Sequence, residues 1–262
     1  MKYTFHALSD AGRARSNNED SVVFDEATQF GVLADGMGGY NAGEVASGMA
    51  TTFIESELGR WLSAAPPRAN SSDIKRAIEI CVANANRSIL NAATVNPRYA
   101  GMGTTLVLGV FRDQRLIVGH IGDSRCYRWR GTELLQITKD HSLLQEQIDA
   151  GLLTAAQAAT APNRNLVTRA LGVEAVALLE LKEYQVEPGD IYLMCSDGLS
   201  DMVPDAAIAA ILQNQPALKQ MAAELVALAN QNGGRDNITV LLTAATAETA
   251  KHGLIAKLLG KE

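Results

Sequence analysis

Aromatic residues make up only 5% of this 262-residue chain, and it holds 3 cysteines and 7 prolines. Cys81, Cys126 and Cys195 stand far apart, and no positive-then-apolar leader follows Met1, which argues against a secreted, disulfide-stapled protein. A reducing, cytoplasmic setting is expected. No apolar run reaches the roughly 18 to 20 residues that a membrane-spanning helix needs; Gly101 to Phe111 falls well short. Cationic residues are also in deficit, 23 against 29 acidic, so a grip on nucleic acid through phosphate neutralisation is not expected. The acidic excess points instead, weakly, to cation sites.

What is present is an ordinary globular pattern, 47% hydrophobic and 20% charged, long enough to bury a substantial core. Runs rich in β-branched residues predict strands over Tyr3 to Leu8, Ser21 to Phe24, Phe30 to Ala34, Thr104 to Phe111, Leu116 to Ile121, Arg125 to Trp129, Ile191 to Met194 and Ile238 to Leu242. Two of these, Thr105 to Phe111 and Leu116 to Ile121, lack a polar face and should be covered on both sides. Helical periods at Ile74, Ile78, Cys81, Val82, Ala85 and Ile89, at Leu218 to Ala229, and at Val45, Met49 and Phe53 supply covering layers. Strands come in blocks rather than alternating with helices, which predicts an α+β fold with antiparallel sheets. One domain over residues 1–246 is expected, with a flap-like excursion at 139–176 that could set substrate choice and a tail at 247–262 that reads as a short amphipathic helix.

Chemistry is concentrated where strands end. Asp35-Gly36, Gly122-Asp123, Asp197-Gly198, Asp236-Asn237 and Glu19-Asp20 each adjoin an apolar run. Any one of these pairs alone reads as a turn. Together they place six carboxylates at rigid positions, where mutual repulsion is tolerable only with positive charge between them. Oxygen donors beside glycines suit Mg²⁺ or Mn²⁺ rather than zinc.

The ordered motifs Arg15-Ser-Asn-Asn-Glu19-Asp20, Asp35-Gly-Met-Gly-Gly39, Gly101-Met-Gly-Thr-Thr105, Gly122-Asp-Ser-Arg125, Cys195-Ser-Asp197-Gly and Gly233-Gly-Arg-Asp236-Asn-Ile-Thr-Val240 resemble those of the PPM (PP2C-like) metal-dependent protein serine/threonine phosphatases, over about residues 3 to 244. The likeness is to the compact bacterial members. It implies a central β-sandwich of two antiparallel sheets flanked by helices, and two core Mn²⁺ or Mg²⁺ ions. By the same resemblance Asp35 bridges them, Asp197 and Asp236 complete one site, and Glu19 and the Gly36 carbonyl serve the other. Asp123 would bind a third, weaker ion, Asp20 would act through water, and Arg15 would hold the substrate phosphate. Two such ions about 3.5 to 4 Å apart activate a bridging water for in-line attack. Phosphorylated proteins, a Ser/Thr kinase and its targets among them, are the implied partners of a monomeric enzyme.

One departure stands out. Many relatives carry a His matching Met37 or Tyr40 as the acid that protonates the leaving alcohol, and this chain does not. Tyr40, His141 or a metal-bound water is left as candidate. Cys81 and Arg87 have the Cys-x5-Arg spacing of thiolate phosphatases, but the intervening residues include no Gly and lie in a helical period, so a core cysteine is the better reading. A two-metal hydrolase of small phosphoesters and a catalytically silent phosphoprotein-binding relative are the alternatives in function.

Overall fold

In the computed structural model, residues 1–38, 42–66, 69–154, 157 and 166–247 are described. Two antiparallel sheets lie face to face. One runs β1 (Lys2–Asp10), β11 (Ile238–Thr246), β10 (Ile191–Cys195), β7 (Arg125–Arg130), β8 (Glu133–Gln136). The other runs β2 (Asp20–Asp25), β3 (Phe30–Met37), β5 (Leu106–Arg112), β6 (Arg115–Ile121), β9 (Glu180–Gln185), with the short β4 (Gly103–Thr104) paired to β3. Helices α1 (Ala42–Ala64) and α2 (Ser71–Val95) cover the second sheet, whereas α5 (Asp205–Asn214) and α6 (Leu218–Gln231) cover the first. Two shorter helices, α3 (Leu143–Asp149) and α4 (Asp197–Ser200), follow strand ends.

Alternation along each strand creates three apolar layers. Phe30, Val32 and Ala34 of β3 face α1 and α2, while Leu33 between them joins Tyr3, Phe111, Tyr192 and Leu241 in the layer between the sheets. Leu193 and Cys195 of β10 and Val240 and Leu242 of β11 face α5 and α6. Strands β5 and β6 are therefore buried on both sides, as their unbroken apolar runs require.

The predicted strand from Thr104 is interrupted at Thr105, whose N–H donates to the Asp35 carbonyl at 2.8 Å and whose hydroxyl is hydrogen-bonded to that of Ser124 at 2.7 Å. The tail residues 248–262 and the segments 155–156 and 158–165 lie outside the described residues, as do Gly39 and Tyr40.

Candidate metal centre

Antiparallel pairing sets Asp20 of β2 directly opposite Asp35 of β3. Asp123 lies in the turn after β6, Asp197 opens α4 after β10, and Asp236 lies just ahead of β11. Both sheets thus bring acidic strand ends to one place. Glu19, Asp35, Asp123, Asp197 and Asp236 line a single cleft of about 210 Å³, together with Arg15, Gly36 and Thr105. Close backbone approach explains two of the glycines: a Cβ on Gly36 would lie 2.1 Å from the Gly43 carbonyl oxygen, and one on Gly198 would lie 2.0 Å from that of Asn237.

Neutral side chains fix the acids. The Asp35 N–H donates to the Thr105 hydroxyl at 3.0 Å, and the Asp35 carbonyl accepts from the Thr104 hydroxyl at 2.9 Å. Asn237, buried, accepts the Glu19 N–H at 2.8 Å and donates to the carbonyls of Ala11 at 3.0 Å and Asn17 at 2.8 Å. Ser47 on α1 donates to the Glu19 carbonyl at 2.6 Å, and Ser196 donates to Asp20 Oδ2 at 2.8 Å. Asn237 stands within the Gly233–Val240 motif, and its place directly after Asp236 is the only sequence signal of this role.

Charge in the cleft is unbalanced. Burial, then the charges of Asp20, Asp197, Asp123 and Asp236, hold the Asp35 carboxyl well above its ordinary value. Asp197 is likewise raised well above, by burial and then by Asp123 and other acids. Asp20 is pushed up to about 6, mainly by burial, and Asp123 to about 6 by burial and then Asp140. Glu19 is raised too, burial again leading. The Oδ1 atom of Asp20 is buried with no hydrogen-bond partner among the described residues. An orphaned carboxylate oxygen, five more acids and only oxygen donors form a set suited to hard divalent cations.

Arg15 stands at the rim, its side chain 52% exposed, and makes a 2.7 Å ion pair with Asp236. Its guanidinium is thus placed beside the acids with much of its surface open to a ligand.

His141 is not in the cleft wall. Its ring stacks on His120 with centroids 4.6 Å apart, and its Nδ1 accepts the Gly122 N–H at 3.1 Å. The neutral ring therefore carries its proton on Nε2, which faces Glu180 at 3.5 Å. Arg169, 3.4 Å from that same nitrogen, is a neighbour and not a donor to it. Burial, then His120 and Arg169, pushes His141 down to about 4. His120 Nε2 donates to the Lys139 carbonyl at 2.8 Å. His120, His141 and Glu180 have the clustering of metal ligands, yet their protons are committed to backbone and carboxylate, which gives them a structural part. The expectation that His141 protonates a leaving group meets these facts poorly: the ring clamps the Gly122 turn instead. Tyr40, the other candidate, lies outside the described residues, while Met37 lines the cleft.

The thiol alternative also fails physically. Cys81 lies inside α2 with Arg87 on the same helix, and burial pushes its thiol up to about 11. Cys195 is pushed up to about 12 and Cys126 is raised too, whereas a nucleophilic cysteine needs the opposite shift.

Comparison with known proteins identifies the family. The sequence profile described as Protein phosphatase 2C matches residues 11–243. Serine/threonine protein phosphatase PstP of Mycobacterium tuberculosis is 41% identical over 243 residues, which cover 91% of this chain and 44% of that protein. The chain thus spans less than half the length of that relative. Serine/threonine phosphatase stp of Listeria innocua is 35% identical over 237 residues, covering 89% of this chain and 92% of its own. A crystal structure of the catalytic domain of PstP in complex with 2 manganese ions superposes with a TM-score of 0.82 at 38% identity, over 94% of this chain and 99% of that one. Profile, sequence relatives and fold converge on a single family, and the chain belongs to the protein phosphatase 2C family.

Proposed function

We propose that this chain is a metal-dependent protein serine/threonine phosphatase that hydrolyses phosphoserine and phosphothreonine in proteins, with residues 1–246 as its catalytic unit. The observation that carries the reading is the convergence of five carboxylates from both sheets in one cleft with Arg15 at its rim. Asp35, Asp197 and Asp236, with Glu19 and the Gly36 carbonyl, would hold two Mn²⁺ or Mg²⁺ ions. Asp123 would serve a third, and Asp20 would support the set from beneath. When bound, such ions supply water activation and neutralise phosphoryl oxygens. The chain's own contribution is placement. Thr104, Thr105 and Asn237 hold the acids on rigid strand ends, and the planar fork of Arg15 orients the phosphate oxygens by a charge-assisted contact.

The enzyme is taken to act as a monomer, and unpaired cysteines support a cytoplasmic setting. Its partners are phosphoproteins, with a Ser/Thr kinase and that kinase's targets the expected set. Hydrolysis of phosphothreonine peptides should require added Mn²⁺ or Mg²⁺, vanish in EDTA, and survive thiol alkylation. Full turnover in EDTA would overturn the reading.

A further inference from the structure

Next to the acidic cleft lies a hollow of about 300 Å³, and the two share Met37 and Val167 in their walls. The rest of its lining is mainly aliphatic, with Val173, Val176 and Leu178, and Arg169 and Glu174 are its charged members. Val173, Val176 and Leu178 are 57%, 68% and 56% exposed. Among the described residues the exposed large apolar side chains gather in this part of the chain, with Leu143, Leu152 and Leu166 in the same excursion. Scattered exposure of such residues is ordinary, but a contiguous strip beside a reactive centre marks a contact surface.

The strip is held in place. Asn86, buried in α2, accepts the Gly172 N–H at 2.7 Å and donates to the Glu174 carbonyl at 2.8 Å. Buried Leu171 exchanges two backbone hydrogen bonds with Thr104, at 3.0 and 2.8 Å, and Thr104 in turn donates to the Asp35 carbonyl. A Cβ on Gly103 would lie 2.9 Å from Val173 Cγ2, so the strand beneath is packed against the strip. Hydrogen bonds from the outer helix layer and from β4 thus set the trough in fixed register with the acidic cleft.

We propose that this trough receives an aliphatic side chain of the substrate polypeptide close to the phosphorylated residue, so that the enzyme favours phosphosites flanked by apolar residues. The inference rests on the protein phosphatase reading above. Continuity through Met37 and Val167 identifies the occupant. An extended chain advances roughly 3.3 Å per residue, so with its phosphate in the cleft a near neighbour lies over the trough.

The test compares kcat/KM for matched phosphothreonine peptides carrying Leu, Ser or Asp at each position flanking the phosphoresidue, with a small aryl phosphate as control. It is run with Mn²⁺ on the wild-type chain, Val176→Ser and Leu178→Ser, both exposed positions whose replacement leaves the core intact. At one flanking position the wild type should prefer Leu over Ser by about tenfold, the order expected for one aliphatic contact. Each variant should bring that ratio toward one through KM, with aryl phosphate turnover within about twofold. Equal rates on all peptides, or a preference untouched by both variants, would overturn the trough and leave the phosphatase reading standing. Faster turnover of every substrate in the variants would mean that the chain's own neighbouring segment covers the strip. A self-association lost in the variants would assign it to a second copy. Either result overturns the proposal. Hydrolysis of the aryl phosphate with no peptide cleaved would bring down the protein phosphatase reading itself.

Discussion

Two clusters of titratable side chains flank the Gly122–Asp123 turn, and they solve opposite problems. In the histidine pair every proton has an assigned place: His120 donates to the Lys139 carbonyl, and His141 accepts from Gly122 and faces Glu180. In the acidic cleft the carboxyls raise one another and Asp20 keeps an unpaired oxygen. A satisfied polar cluster rigidifies its surroundings, whereas an unsatisfied one is a reservoir of electrostatic strain that a cation can relieve. The first suits a scaffold and the second the proposed chemistry.

Breaking the acidic side should cost most. Asp35→Asn removes a carboxylate that burial and four neighbouring acids hold well above its ordinary value, and kcat at saturating Mn²⁺ should fall about a thousandfold, roughly 4 kcal/mol of barrier. Calorimetric titration should show weaker metal binding, and two sites of unchanged affinity would refute the assignment. Asn237→Ala should lower stability by about 2 kcal/mol in denaturant titration, because it strands the Glu19 N–H and the part-buried carbonyls of Ala11 and Asn17. Arg15→Ala should lower kcat/KM for phosphopeptides by about thirtyfold, near 2 kcal/mol, with metal affinity almost unchanged.

On the histidine side the effect at neutral pH should be smallest. Both imidazoles are held below their ordinary values, so their contribution to stability is complete above the unfolded value near 6.5 and is lost as pH falls toward about 4. Carboxyls in the cleft work in the other direction. Their raised folded values favour the metal-free fold below the unfolded value near 4, and that support fades as pH climbs through about 6. Metal-free protein should therefore melt highest at intermediate pH, and the rise in Tm on adding Mn²⁺ should be larger at pH 7.5 than at pH 5. A stabilisation by Mn²⁺ that is independent of pH would contradict this picture.

The acids and the central strands were legible because each signal is local. An apolar run ending in Asp-Gly or Gly-Asp is visible without tertiary knowledge, and β3, β6 and β10 carry one at or beside an end, while β11 begins directly after Asp236-Asn237. Strands β8 and β9 were not legible. They are the outer strands of their sheets, and Glu133–Gln136 and Glu180–Gln185 carry the polar residues that edges need, so no apolar run betrays them. Helix α5 was missed for a related reason, since its alanine-rich sequence buries only Ile208 and Leu212. The part played by Asn237 was hidden because its partners, Ala11, Asn17 and Glu19, are more than two hundred residues away in sequence. The committed protons of His141 likewise depend on Gly122 and Glu180, which only folding brings together.

The cleft draws Glu19, Asp35 and Asp123 from strand ends of one sheet and Asp197 and Asp236 from those of the other. At this end of the sandwich direct ties between the layers include Ser196 to Asp20 and Asn237 to Glu19. A cation held by the proposed ligands would be grasped from both halves at once and would act as a rivet. Occupancy would then be felt mechanically: the layers would resist sliding apart, and amide exchange at the acidic ends of β3 and β10 would slow together, a signature that a ligand held by one sheet alone would not leave.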